Sequence, residues 1–268
     1  MGAQTLTPYE VKAFNTAIAS ENKIHSDEVA QSFGFVGALV PGVEVYAYMT
    51  HIPVERWGRN WLERGGAASR FLKPVYDGKT ARITARGYNG ALNLNVESES
   101  VVCAEGQAFM AEAATAPAFD SLPLGTLPDV RPKADENNLA PGRSLGLAPV
   151  TIDRGALQQY LADIRETEGL YLHENLVHPG QILRLCNAAL VQSVELGPWI
   201  HVGSSVRNFS VARVGQELTL RNRIVSNTVS KGHAIVVFDA LAIANGNQVV
   251  AQITHTAIWR PRGVAPAA

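Results

Sequence analysis

The sequence predicts an α+β fold made of two similar halves, and three observations support this. Segments recur at a nearly constant offset: Val40-Pro41-Gly42 corresponds to His178-Pro179-Gly180, and Arg70 to Gly78 corresponds to Arg207 to Gly215. The residue numbers of the matched glycines differ by 180 − 42 = 138 and by 215 − 78 = 137. An apolar helical segment follows each Pro-Gly, and segments with strand-like alternation follow each helix. An internal repeat of this kind means that each copy is one structural unit.

Each copy is predicted to begin with a short amphipathic helix. In the first copy this helix starts at Thr7, a suitable N-cap, and runs to about Ala19. Its apolar positions at helical spacing are Val11, Phe14 and Ile18. The equivalent start in the second copy is Asp153, at an offset of 153 − 7 = 146. Since 146 − 138 = 8, the second copy is predicted to be shorter by eight positions between its first helix and its Pro-Gly.

The helix after each Pro-Gly is apolar on nearly every side. We predict these central helices over residues 43–52 and 181–194. A helix without a polar face must be enclosed by other parts of the protein. Each is therefore predicted to lie at the centre of its copy.

Antiparallel strands account for the rest of each copy. The segments with alternating apolar residues are 80–87, 92–99, 217–224, 233–244 and 248–259. Asn245-Gly246-Asn247 is predicted to join the last two strands as a hairpin turn. A curved sheet wrapped round a central helix, present twice, is the pattern of a double hotdog, in which two units pair their sheets edge to edge. Pairing covers sheet edges that a single unit would leave exposed.

The predicted organisation has three parts, an N-terminal unit over residues 1–115, a linker over 116–150 and a C-terminal unit over 151–268. The linker holds six of the fourteen prolines and shows little periodicity. We therefore expect it to lie over the surface rather than to form a third domain.

The composition excludes several functional classes. A net charge of −1 offers no basic surface for nucleic acid or for an anionic membrane. No apolar run approaches the roughly 18–20 residues that span a bilayer, and no secretion signal is recognisable at the N-terminus. The cysteines, Cys103 and Cys186, lack a zinc-binding spacing and are expected to be buried thiols. We therefore expect a cytoplasmic protein with no metal, no cofactor, and no nucleic-acid or membrane partner.

Two segments around the first Pro-Gly resemble a known family. Asn22-Lys23-Ile24-His25-Ser26-Asp27, followed by the glycine-containing stretch Gly34 to Gly42, is similar to the signature of the MaoC-like acyl dehydratases, or R-specific enoyl-CoA hydratases. That signature reads Asp-x-Asn-Pro-(Ile/Leu/Val)-His and continues to a His-Gly or Pro-Gly helix start. The segment Arg70 to Gly78 resembles the strand that follows the central helix in this family.

The resemblance implies an enzyme that adds water reversibly to a 2-enoyl thioester of coenzyme A or acyl carrier protein. Backbone N–H groups at the start of the central helix polarise the thioester carbonyl in this family, and a helix N-terminus stabilises the negative charge that develops there. The residues expected to line this substrate site are Val40, Gly42, Val43 and Tyr46. Glycine at position 42 lets a ligand approach the backbone closely.

The family's catalytic residues carry over only in part. His25 matches the histidine that gives and takes a proton, and Asn22 matches the asparagine, which orients the loop. Ser20 stands where the family has its catalytic aspartate, and a hydroxyl alone is no general base. Glu21, one residue further on, is therefore the predicted carboxylate partner of His25. The second copy has no histidine at the matching place and is predicted to be a supporting half.

Three functions stay open at this point. The first is a hydro-lyase for 3-hydroxyacyl or 2-enoyl thioesters, and the second is a hotdog thioesterase in which a carboxylate-activated water attacks the carbonyl. The third is a non-catalytic acyl-binding or scaffold subunit, which the serine at position 20 favours. A homodimer of whole chains is optional for the site, because the second copy already supplies the partner surface.

Overall fold

One open antiparallel sheet runs through both halves of the chain. The computed structural model describes residues 4–112 and 115–263, and within them this sheet has 11 strands. The strands of the first half are β1 (Gln4–Thr5), β2 (Tyr9–Lys12), β3 (Gly65–Phe71), β4 (Thr80–Tyr88), β5 (Ala91–Ser98) and β6 (Val101–Met110). Those of the second half are β7 (Val150–Thr151), β8 (Ile200–Asn208), β9 (Glu217–Ser230), β10 (His233–Ala244) and β11 (Gln248–Arg260). Their order is β1-β4-β5-β6-β3-β8-β11-β10-β9-β7, with β2 beside β4.

The two halves meet where β3 pairs with β8, and the register of this pair reveals a pseudo-two-fold axis. Ala68 lies opposite Ser205, and 205 − 68 = 137, which is the offset of the repeat. A residue therefore faces its own counterpart at the centre of the pair. The flanking pairs obey the same relation, because Gly66–Arg207 maps onto Arg70–Gly203. The internal repeat predicted from the sequence is thus a structural repeat.

Each half packs one long helix against its part of the sheet. The helical segments are a 3₁₀ turn (Lys23–His25), α1 (Asp27–Ser32), α2 (Gly42–Trp57), α3 (Arg59–Arg64), α4 (Arg154–Asp163), α5 (Leu170–Glu174) and α6 (Pro179–Ser193). Every residue of α2 from Val43 to Val54 is buried, which confirms that this helix is enclosed. Each large apolar side chain buried there contributes roughly 1.5–3 kcal/mol, so α2 anchors the first half.

The prediction of a short helix near the N-terminus is wrong. Residues Tyr9–Lys12 form the strand β2, in which Val11 lies opposite Ala81 of β4. Val11 of this strand and Ala13 just after it are buried in the core, and Glu10 is exposed. Pairing with β4 and burial of alternate residues outweigh the helical spacing that the local sequence also permits. The corresponding helix of the second half, α4, does form, and Asp153 caps it by accepting from Ala156 N at 2.7 Å.

The predicted difference in length between the copies is also wrong. Val150 in β7 lies opposite Leu218, just as Val11 lies opposite Ala81, and 218 − 81 = 137 is again the offset of the repeat. Val11 and Val150 are therefore structural counterparts. The intervals along the chain from these valines to the Pro-Gly glycines are 42 − 11 = 31 and 180 − 150 = 30, so the copies differ by one position and not by eight.

The segment between the halves packs on the second half without forming a helix among its described residues. Its leucines Leu139, Leu145 and Leu147 are buried in the main core. The side chain of Asn222 in β9 accepts from Leu145 N at 2.8 Å and donates to Leu145 O at 2.7 Å. The segment is thus a covering layer with its own part of the core.

A buried carboxylate ties the two halves together. Glu166 has a side chain that is 2% exposed, and its Oε1 lies 2.7 Å from Nδ1 of His51 in α2. Its Oε2 lies 3.5 Å from Nε2 of His178, the residue that caps α6. Tyr9 stacks on the His51 ring, with 3.7 Å between centroids. The amides of Thr167 and Glu168 also donate to Glu166, so the charge is well compensated.

Candidate functional site

A cavity of about 410 Å³, here called the first cavity, lies at the start of α2 between the two halves. The first half contributes Asn22, His25 and Gly42, and the second half contributes Trp199 and His201. Most of the remaining lining is apolar. Among its described lining residues there is no aspartate and no glutamate.

His25 ends the 3₁₀ turn and borders this cavity. Its Nδ1 lies 2.7 Å from the carbonyl oxygen of Leu39. A carbonyl only accepts, so Nδ1 carries the proton and Nε2 is the acceptor. Burial lowers the pKa of His25, and the bond to Leu39 offsets this only in part. The imidazole is therefore neutral near pH 7 and has an unprotonated nitrogen. Asn15 holds the turn by donating to the His25 carbonyl at 2.8 Å.

The start of α2 offers backbone donors beside His25. The amides of Glu44 and Val45 both donate to Pro41 O, which closes the first turn of the helix. No side chain of the described residues caps this helix start. The preceding amides, those of Gly42 and Val43, belong to the group that a helix cannot pair internally, and the helix dipole places positive potential there.

Gly42 is required by a close approach from the second half. A Cβ atom at this position would lie 2.9 Å from Nδ1 of His201 and 3.1 Å from Cδ2 of Phe71. His201 is itself fixed, because its Nε2 contacts Gly203 O at 3.1 Å and Ser204 Oγ at 2.8 Å. The Gly203 carbonyl assigns the proton to Nε2, and burial lowers the pKa of His201 to about 3. The glycine thus accommodates a neutral imidazole of the other half.

Asn22 and Asn187 connect the site to the second half. The Asn22 side chain is buried, donates to Trp199 O at 2.9 Å and accepts from Trp199 N at 3.3 Å. This pair of bonds orients the loop that carries His25. Asn187 lies on α6 and also lines the first cavity, where its buried Oδ1 has no hydrogen-bond partner among the described residues.

Glu21 borders a neighbouring space, the second cavity, of about 530 Å³. Asn22 and His25 line both cavities. The Glu21 side chain is 76% exposed and forms an ion pair with Arg131 at 2.8 Å, which lowers the pKa of the carboxyl group. Ser20 also lines the second cavity, and its hydroxyl donates to Asn22 O at 3.3 Å.

A second carboxylate in the same space belongs to Glu44. This residue is 1% exposed and is bound to Arg184 of α6 at 2.6 Å. Thr16 donates to the same carboxylate oxygen at 3.1 Å. The ion pair therefore links the two central helices at the wall of the second cavity.

The four predicted substrate-contacting residues occupy different places. Val40 and Gly42 line the first cavity, and Val43 lines the second. Tyr46 lies in the core, 1% exposed, and lines neither of these two cavities among the described residues. Val45 takes the cavity-facing position on that turn of the helix.

The described residues place no group of three or more histidine, cysteine or acidic side chains for a metal ion. Within the same part of the chain, no helix is long and apolar enough to cross a membrane.

Comparison with solved structures identifies the architecture. A putative MaoC domain protein dehydratase from Chloroflexus aurantiacus is 17% identical with a TM-score of 0.66, covering 97% of this chain and 96% of its own. A conserved hypothetical protein from Mycobacterium tuberculosis, described as having a double hotdog fold, is 13% identical with a TM-score of 0.62, covering 94% and 95%. A putative thioesterase from Novosphingobium aromaticivorans is 12% identical with a TM-score of 0.51, covering 84% and 89%.

The fold is a double hotdog. The predicted fold and the structural resemblance to MaoC-like dehydratases are thereby confirmed. The sequence itself matches no protein-family model and no curated protein. The similar solved structures include a putative dehydratase and a putative thioesterase, so the fold alone does not select a reaction.

The two units of this double hotdog differ in the space at their helix starts. The repeat relates Pro41 and Phe71, which line the first cavity, to Pro179 and Asn208, which line a cavity of only about 20 Å³. Tyr160 of α4 approaches the second helix start, where a Cβ on Gly180 would lie 2.1 Å from its hydroxyl. The second unit is thus closed at the position where the first unit is open.

His201 and Asn187 are the site residues that sequence reasoning missed. His201 precedes Gly203 and Ser204 on β8, and no local motif distinguishes it from a structural histidine. Asn187 lies on an apolar helix, and a polar side chain in such a segment was the available signal.

Proposed function

We propose that this protein is a hydro-lyase that interconverts 2-enoyl and 3-hydroxyacyl thioesters in the first cavity. The observation that carries the proposal is a neutral imidazole beside an uncapped helix start. His25 donates from Nδ1 to Leu39 O, which leaves its Nε2 as an acceptor, and His25 lines the same cavity as Gly42 at the start of α2.

In the hydration direction, the thioester carbonyl binds at the amides of Gly42 and Val43. Water oxygen bonds to C3 while the π electron pair of the C2=C3 bond moves toward the carbonyl. The helix start stabilises the negative charge on that oxygen. His25 Nε2 accepts a proton from the water and returns it to C2, so that the elements of water add and the enzyme is unchanged.

Glu21 stays the predicted carboxylate partner of His25. It shares the wall of the second cavity with His25, and its ion pair with Arg131 must open before the carboxylate reaches a water at that imidazole. Glu44 is the other carboxylate of this space, and its Oε2 is buried without a hydrogen-bond partner among the described residues.

A non-catalytic acyl-binding role is the second candidate. It is favoured by the acid-free lining of the first cavity together with serine at position 20. A thioesterase is the third candidate, and the acids of the second cavity are the groups it would use to activate water. In all three cases the ligand is an acyl thioester, and the carrier is coenzyme A or acyl carrier protein.

A two-signal assay with crotonyl-CoA tests the proposal. Hydration removes the ultraviolet absorbance of the conjugated enoyl thioester, whereas hydrolysis releases a thiol that a disulfide reagent detects. We expect loss of absorbance without thiol release. Thiol release would establish a thioesterase, and binding without either signal would establish the non-catalytic role.

Three variants assign the residues. His25→Ala is expected to lower hydration turnover by about 10²- to 10⁴-fold, the usual contribution of general acid–base catalysis. Glu21→Gln is expected to lower hydration turnover by a comparable factor, and Ser20→Ala is expected to change it little. Full turnover in His25→Ala, with the wild type active, would contradict the mechanism. A larger loss in Ser20→Ala than in Glu21→Gln would show that the acid is misassigned.

A further inference from the structure

A third cavity, distinct from the first and second cavities, is lined by residues of both units. This basic cavity measures about 480 Å³ and lies where α3 meets the end of β8. Its four arginines are Arg59, Arg64, Arg207 and Arg213. Glu63 is the one acidic residue among its described lining residues.

Carboxylates neutralise one of these arginines. Arg59 binds Glu63 at 2.6 Å and Glu174 at 2.8 Å, and these contacts account for its charge. Arg59 therefore lines the cavity without offering a free charge to a ligand.

The other three arginines form no ion pair with a described carboxylate. Arg207 donates to the carbonyl oxygen of Glu112 and Arg213 to that of Glu174, both at 2.8 Å, and neither carbonyl carries a charge. The Arg64 side chain makes no ion pair or hydrogen bond with a described residue. Each guanidinium has five N–H donors, so all three retain donors for a ligand.

The pseudo-two-fold axis relates this cavity to the first one. Arg207 and Ser210 are the counterparts of Arg70 and Lys73 in the repeat, and Lys73 lines the first cavity. The basic cavity therefore occupies the position in the second unit that corresponds to the Lys73 side of the first cavity in the first unit. The neighbouring cavity at the start of α6 measures only about 20 Å³, which leaves no room for an acyl chain.

We propose that the basic cavity binds a small phosphate-bearing ligand that has no acyl chain. Arginine forks bind phosphate oxygens through paired N–H donors, and three such groups meet here. The half-buried ring of Phe209 and the amides of Gln216 and Gln248 line the remaining wall and suit an organic group attached to the phosphate. The phosphate belongs either to an inorganic phosphate or to a nucleotide.

Isothermal titration calorimetry on the full chain at low ionic strength tests whether this cavity binds phosphate. The probes are inorganic pyrophosphate and adenosine 3′,5′-bisphosphate. Binding of both with equal affinity assigns a bare phosphate site, and tighter binding of the adenosine compound assigns a nucleotide site. A Kd weaker than about 1 mM for both probes would overturn the proposal.

Paired variants locate the binding. Arg64→Gln/Arg213→Gln changes two exposed side chains and is expected to weaken binding by about 10-fold or more. Arg86→Gln/Arg223→Gln removes the same charge from exposed positions on β4 and β9 and is expected to leave Kd within about twofold.

A third double variant, Lys73→Gln/Arg262→Gln, removes the cations that line the first cavity. Loss of binding in this variant, with binding unchanged in Arg64→Gln/Arg213→Gln, would place the phosphate at the first cavity and overturn the proposal. Thermal melts of all variants verify that each is folded.

Discussion

At the scale of single residues, the protonation state of His25 controls the proposed reaction. Burial places the pKa of His25 below its ordinary value of 6.5, so the neutral base predominates at pH 7. We expect kcat/KM for hydration to be flat from about pH 7 upward to pH 8 and to fall up to tenfold per pH unit below the pKa of His25. A pH profile with crotonyl-CoA measures this. A rate that rose on acidification through this range would contradict the role of His25 as the base.

Gly42 offers a second test, because its side-chain position is already occupied. In Gly42→Ala the added methyl group meets His201 and Phe71 at 2.9 and 3.1 Å, and both belong to packed elements. We expect a loss of about 1–3 kcal/mol in the free energy of unfolding, measured by urea titration. Gly197→Ala is the matched control, since no atom of the described residues, apart from its chain neighbours, lies within 4 Å of the added Cβ. Equal stability of the two variants would show that the His201 contact is not tight.

The sequence could predict part of this site and not the rest. His25 and Gly42 stand in a local motif, so a single stretch of chain was enough to find them. His201 and Asn187 reach the cavity only because the second unit packs against the first. Contacts between residues that are far apart in the chain leave no signature in local spacing. For the same reason the sequence could not predict the ion pair between Glu21 and Arg131.

At the scale of elements, Glu166 joins α2 to α6 through His51 and His178. Burial opposes ionisation of Glu166, but its bonds to His178 and His51 outweigh this and hold its pKa below the usual 4.5. Its stabilisation is therefore present above about pH 4.5 and is lost as the pH falls. Burial likewise opposes charging of His51, but Glu166 raises the pKa of His51 above 6.5, so that contribution is present below 6.5 and is lost as the pH rises through the raised value.

Glu166→Gln tests this cluster. We expect a loss of about 3–5 kcal/mol in the free energy of unfolding at pH 5.5, because the change breaks a buried charged network. Urea titrations between pH 3 and 9 should also show a weaker dependence on pH than in the wild type. Glu168→Gln, which removes a neighbouring charge without a bond to His51, is expected to stay within about 0.5 kcal/mol. Matching losses in the two variants would refute the assignment.

The elements that the sequence predicted well are those whose pattern is strong over many residues. The central helices and the long strands follow from continuous apolar runs and strict alternation, and the turn at Asn245 and Gly246 has the positive φ angles, 49° and 79°, that a tight hairpin needs. The segment that was predicted incorrectly, Tyr9–Lys12, is a four-residue strand. Four residues carry too little pattern to distinguish a strand from the first turn of a helix.

At the scale of the whole molecule, a single chain contains both sides of the first cavity. His25 comes from the first unit and His201 from the second, so both units of one chain line this cavity. We expect specific activity to stay constant as the protein is diluted to a monomer, followed by analytical ultracentrifugation and the crotonyl-CoA assay at matched concentrations. Activity that disappears in a folded monomer would show that a second chain completes the site.

The unequal cavities at the two helix starts, about 410 and 20 Å³, also bear on how such a chain can evolve. In a dimer of identical subunits, any substitution that fills one site fills both. Covalent linkage of the two copies removes that coupling, so selection can act on each copy separately. One copy can then keep an open pocket, while the other accumulates buried side chains such as Tyr160 that favour stability over activity.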